Sequence, residues 1–245
     1  MTKKIALIQM DITYGDPKVN FAHVSKWVTN AAYMGVDIIV LPELWDTGFD
    51  LEQMNTMADR DANATTEFLS DLAKQMNIAI LGGSIAEEIN SGMKNTMLII
   101  DRNGERIHKY SKEHLSESEQ PYLLAGEAGN EFELDGILSA GFIGADIRFP
   151  KRLSETAENG AKVIYVVAQW TEDRINEWKT TVQSCAVDNQ CYVIACNRTG
   201  SDPDNVYGGM SLVVDPKGGI IAEGGNDEKM ILAEISVDKD QSGKQ

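Results

Sequence analysis

The chain has 245 residues, 42% of them hydrophobic, enough to bury a large core in a single unit spanning 1–245. Its 22 basic and 38 acidic residues leave a net charge of −16, a field that repels nucleic-acid phosphates and anionic membrane surfaces and argues against both as partners. The opening MTKKIALIQMD has too short an apolar run for a signal peptide, and no window approaches a membrane span, so a cytoplasmic location is expected.

In chain order, IALIQM (5–10) reads as a buried strand. NFAHVSKWVTNAAYMG then sets Phe21, Val24, Val28 and Ala31/Ala32 at helical spacing, with Gly35 as the cap. VDIIVLPE (36–43) is a second strand, and the rhythm returns with a helix over 68–76 and a strand over 78–84. Residues 96–101 and 105–110 predict a hairpin around Asn103-Gly104 with an I′ turn. GFIGADIRFP (141–150) is an apolar strand running into a turn, and Pro150 then opens a helix over 150–160. Strands over 161–170 and 191–196 bracket a helix over 172–188, and 211–223 forms a hairpin. Residues from about 237 to 245 make a polar, frayed tail.

Three of these strands end at residues of interest: Glu43 in LPELWDTGF, Lys112 in HKYSKEHL, and the elbow at Gly144-Ala145. Ligands and reacting groups gather at strand ends in α/β folds. A carboxylate that takes a proton, an ammonium that stabilises an oxyanion and an elbow that presents a nucleophile suit acyl transfer.

VLPELWDTGFD, KYSKEHL, YLLAGE, DIRFP, AKVIYVVAQW, DNQCYVIACNRTG and YGG-S resemble, in order and spacing, the carbon-nitrogen hydrolase or nitrilase superfamily from residue 4 to about 236. The resemblance implies an α/β fold, a four-layer α-β-β-α sandwich, assembled as a homodimer. It also implies hydrolysis of small non-peptide amides, in the manner of ω-amidases and aliphatic amidases, by a Glu-Lys-Cys triad without metal or cofactor. By that resemblance Glu43 is the general base, Lys112 the oxyanion-stabilising lysine and Glu119 the second, positioning glutamate. The family nucleophile falls, without a gap, on Gly144.

Glycine carries no sulfur, so an impaired enzyme is expected, with the Ala145 amide and Lys112 still able to hold an acyl oxygen. The alternative is a non-catalytic binding or regulatory module that keeps the pocket for a small amide or carboxylate. Cys185, Met210, Lys151 and Ala145 also stand where the family commonly has arginine, histidine, glutamate and tyrosine. Asp146 and Arg148 suggest an internal ion pair behind the elbow, in preference to direct substrate contact. Trp170 lines the pocket mouth or packs in the core or a dimer.

The three cysteines, Cys185, Cys191 and Cys196, match neither a disulfide framework nor a zinc pattern. Cys191 and Cys196, five apart in one strand, face opposite sides of a sheet and read as core residues rather than a substitute nucleophile.

Overall fold

Along IALIQM the side chains alternate: Ile5 and Leu7 enter one apolar cluster and Ala6 and Ile8 another, all fully buried. A strand buried on both faces lies between two layers, and the rest of the chain supplies them. A computed structural model describes residues 1–237.

The first half runs β1 (Thr2–Gln9), α1 (Pro17–Tyr33), β2 (Ile38–Val40), α2 (Met54–Met57), β3 (Asp59–Arg60), α3 (Asn63–Met76), β4 (Ala79–Ile89), β5 (Gly92–Ile100) and β6 (Arg106–Ser111). The second half continues with β7 (Glu131–Leu134), β8 (Ile137–Ile143), α4 (Pro150–Glu158), β9 (Val163–Ala168), α5 (Ile175–Asn189) and β10 (Tyr192–Asn197). It closes with β11 (Thr199–Ser201), β12 (Val206–Gly208), β13 (Leu212–Val214), β14 (Ile220–Glu223) and β15 (Lys229–Ser236).

One sheet has the order β15-β1-β2-β4-β5-β6, with β3 beside β4, and the other the order β14-β13-β10-β9-β8-β7. In each, three parallel strands joined by helical crossovers form the centre and antiparallel strands form the flanks. Residues such as Leu7, Val40 and Leu81 meet Tyr165, Val167 and Ile194 between the sheets. Val24, Val28, Leu69 and Leu72 of α1 and α3 cover the outer face of the first sheet. Leu153, Trp178 and Val182 of α4 and α5 cover that of the second. The layers are therefore α-β-β-α, as expected from the sequence.

Several local expectations need correction. The turn at Asn103-Gly104 is not I′, which needs positive φ at both central residues; only Gly104 has it, at +82°, and a register shift accompanies it at Ile99/Ile100. The I′ pattern occurs instead at Asp135-Gly136, with φ of 53° and 77°, closing a β7-β8 hairpin that the sequence reading overlooked. β4 runs to Ile89, beyond the expected end at 84, because a register shift between Leu81 and Ser84 lets it continue beside β5. The helix expected over 172–188 opens with a 3-10 turn, Glu172–Arg174, and becomes α-helical at Ile175.

Val237, assigned from sequence to the frayed tail, is buried, and its amide donates to the carbonyl of Met1. The rest of that tail, 238–245, lies outside the described residues. No helix among the described residues is long and apolar enough to cross a membrane.

Candidate active site

The ends of β2, β6, β8 and β9 open onto a cavity of about 230 Å³ whose lining includes Glu43, Lys112, Glu119, Gly144, Ala145 and Trp170. The topology thus unites all six residues singled out in the sequence.

Glu43 leaves β2 through Leu41 and Pro42. The next residue, Leu44, takes a left-handed backbone, φ 43°, held by donation of its amide to Ser84 Oγ at 3.0 Å. The Trp45 indole is anchored on the Gly82 carbonyl at 2.7 Å, and Gln169 Nε2 reaches across from the second sheet to the Glu43 carbonyl at 2.8 Å. Lys112 follows β6, with its own carbonyl accepting from the Gly126 amide at 2.7 Å.

Lys112 Nζ lies 2.8 Å from Glu43 Oε1 and 2.7 Å from Glu119 Oε1. Glu119 belongs to an acidic run, SESEQ, whose Glu117, Ser118 and Gln120 are exposed, yet it is only 1% exposed itself. A local turn folds it inward: its Oε2 accepts from both the amide and the hydroxyl of Ser116, each at 2.8 Å. Burial holds the Glu43 carboxyl above the ordinary carboxylate range, against the pull of Lys112. Burial alone would lower the Lys112 pKa, but the two carboxylates outweigh it and keep the ammonium charged.

β8 delivers the elbow. Gly144 has φ +50°, a conformation that costs a side-chain-bearing residue roughly 1–2 kcal/mol. It opens a short 3-10 turn, Gly144–Arg148, and Ala145 beside it lines the cavity. A Cβ at Gly144 would stand 2.6 Å from Glu43 Oε2 and 3.0 Å from both Glu43 Oε1 and Lys112 Nζ. The elbow is therefore aimed at the charged pair, but with no side chain.

The expected Asp146–Arg148 ion pair is absent. Asp146 is buried and accepts from the Ile143 amide at 3.1 Å, the His114 amide at 2.8 Å and the Tyr110 hydroxyl at 2.8 Å, while His114 Nδ1 pairs with it at 2.9 Å. It ties the elbow to the segment bearing Lys112. Arg148 instead pairs with Glu177 at 2.9 Å and lies 4.5 Å from the centre of the Trp170 ring; Arg174 lies 5.0 Å from the same ring and also bonds Glu177. Two residues apart in sequence, Asp146 and Arg148 take their partners from different elements, Tyr110 of β6 and Glu177 of α5. Trp170 is a cavity residue, while Trp178 is fully buried, its indole donating to the Met210 carbonyl at 2.9 Å.

No cysteine lines this cavity. Cys191 and Cys196 enter different apolar clusters, on opposite sides of the second sheet as expected. Burial pushes the Cys185 thiol up to about 12, and raises Cys191 and Cys196 as well, so none is a ready thiolate. Among the described residues no cluster of three or more His, Cys, Asp or Glu side chains is placed to hold a metal.

The model of the carbon-nitrogen hydrolase family matches residues 4–245. The chain belongs to that family. Its similarity to the 2-oxoglutaramate amidase of Bacillus subtilis (strain 168) is 41% identity over 235 residues, covering 95% of this carbon-nitrogen hydrolase and 90% of that protein. The omega-amidase YafV of Escherichia coli (strain K12) is 32% identical over 222 residues, covering 89% and 84%. Among solved structures, Nit3 of Saccharomyces cerevisiae, a member of branch 10 of the nitrilase superfamily, matches with a TM-score of 0.90 at 28% identity, covering 95% of this chain and 89% of that one.

The sequence reading missed Asn95 and Arg174 as neighbours of the site; Arg148, expected behind the elbow, lines the cavity instead. Arg174 carried a usable signal, since it follows Trp170 just past a strand end. Asn95 carried none, being one polar residue inside a strand.

Proposed function

We propose that this protein is an amidase of the ω-amidase type in architecture, with a pocket for a small amide or carboxylate, whose own hydrolysis is crippled at the elbow. Glu43 is the general base, Lys112 the oxyanion-stabilising cation and Glu119 the residue that holds Lys112. The observation that carries the reading is Gly144: it faces Glu43 and Lys112 at the position the family gives its cysteine, and no thiol lines the cavity. In a comparable covalent hydrolase, loss of the nucleophile costs on the order of 10⁶ in turnover. The names of the relatives, 2-oxoglutaramate amidase and omega-amidase, support small amides as the ligand class.

With a thiol restored, the chemistry follows from the charges present. The thiol proton passes to Glu43 as sulfur attacks the amide carbon, and the oxyanion is met by Lys112 and the Ala145 amide. Ammonia leaves with that proton, and water activated by Glu43 then cleaves the thioester to carboxylate and free thiol.

The test is turnover of a panel of ω-amides and simple aliphatic amides by the unaltered protein and by Gly144→Cys. The expected outcome is a gain of at least about 100-fold in the variant, a small part of what a nucleophile contributes. Unaltered protein as fast as the variant would refute impairment.

A second reading, a binding or regulatory module, is favoured by the intact Glu43–Lys112–Glu119 cluster around the missing nucleophile. Thermal shift against dicarboxylates and their monoamides tests it: a ligand at 100 times its Kd adds about 2.7 kcal/mol. Assembly as a homodimer belongs to the same proposal and is tested by sedimentation.

A further inference from the structure

Asn95 lies on β5 and is completely buried. Its backbone carbonyl accepts from the Lys112 amide at 2.8 Å, and its side-chain Nδ2 donates to Glu43 Oε1, also at 2.8 Å. A single strand residue thus holds the backbone of one charged group and the carboxylate of the other. Its Oδ1 has no partner. A buried acceptor left unpaired costs about 1–3 kcal/mol, so the residue is not explained by packing. Its orientation follows from chemistry, because the reversed amide would set Oδ1 against a carboxylate oxygen.

Glu43 Oε1 receives two donors, Asn95 Nδ2 and Lys112 Nζ, each at 2.8 Å. Oε2 receives none from the described residues and is the oxygen nearest the elbow, 2.6 Å from a Cβ placed on Gly144. An oxygen already occupied by two donors, one of them a cation, is the poorer seat for a proton.

The geometry points to Asn95 as a positioning residue that gives the two oxygens of Glu43 different tasks: Oε1 is pinned to Lys112, and Oε2 is presented to the elbow to take and return a proton. This inference rests on the reading of Glu43 as the base. The other groups facing Glu43 are Lys112 and Glu119 from the segment after β6 and the Tyr207 ring from β12, with Arg148 and Arg174 across the cavity. None of them is itself substituted when Asn95 alone is changed.

The test follows Glu43 directly, by NMR titration of carboxyl-labelled glutamate in the unaltered protein, Asn95→Ala and Asn95→Asp, with Glu43→Gln giving the assignment. The alanine variant removes a donor, so the Glu43 midpoint should rise. The aspartate variant puts a second carboxylate there, so it should rise further. Any other order, including an unchanged midpoint in both folded variants, overturns the proposal. If Asn95→Ala does not fold, Asn95→Leu, closer in volume, takes its place with the same expected order.

In the Gly144→Cys background, Asn95→Ala should lower kcat/KM at least tenfold, with KM little changed and the acidic limb of the pH profile moved upward. An unmoved limb counts against the proposal. If Gly144→Cys is itself inactive, the functional reading fails, while the titration still decides the role of Asn95.

Discussion

The two walls of the cavity are built on opposite principles. The wall from the first sheet is crowded with mutual support: Lys112 is held by two carboxylates, Glu119 by a serine turn, and Glu43 by Asn95 and Lys112. The wall from the second sheet is just as firmly placed, with Asp146 clamping the elbow to Tyr110 and His114, but it presents a glycine. The comparison shows that a site wall can be held in place either by its own charged side chains or by groups behind it. The groups that place the elbow lie behind it, so its position does not depend on a side chain at residue 144.

The sharpest way to break the charged wall is Lys112→Met. It leaves Glu43 and Glu119 facing one another without a cation, and removal of one member of a buried ion cluster costs about 3–5 kcal/mol. Urea unfolding at pH 8 should show that loss. A loss below about 1 kcal/mol would mean that the two carboxylates do not depend on the lysine.

A smaller effect should come from Asp46, three residues after Glu43. It is also buried, but backbone amides rather than a cation bond it, and burial pushes its pKa up to about 7. The unfolded chain releases that proton near the ordinary value of 3.8, so this group's contribution to stability is full below about pH 4 and falls as pH rises to about 7. Asp46→Asn should therefore gain on the unaltered protein by a few kcal/mol between pH 4 and 8. A pH-independent difference would show that Asp46 does not titrate in that range, and that a carboxylate beside this wall needs no cation.

The smallest change is Gly144→Ala, which sharpens the contrast between shape and chemistry. Its Cβ must displace the Glu43 carboxylate and adopt the left-handed backbone, for a loss of roughly 1–2 kcal/mol by thermal or urea unfolding. With no thiol at the elbow, it should show no turnover of the amides that Gly144→Cys hydrolyses. Comparable activity in the alanine variant would remove the thiol from the explanation.

Much of this was legible in the chain itself. Alternation along β1, helical spacing in α1 and Pro150 at the start of α4 follow from local physics that depends on nearest neighbours. The positions of Glu43, Lys112 and Gly144 were likewise marked by strand ends and motif order. What those residues touch was not. The inward turn of Glu119, the alignment of Asp146 with Tyr110 rather than Arg148, and the hold of Asn95 on Glu43 join residues 7, 36 and 52 positions apart. The first arises from a local turn, the second when the two sheets pack, and the third when β5 is set in the same sheet as β2. The sequence alone determined the elements, their order and the absent sulfur; tertiary structure decided the hydrogen-bonding geometry around it, because Glu43 and Asp146 take partners from other strands.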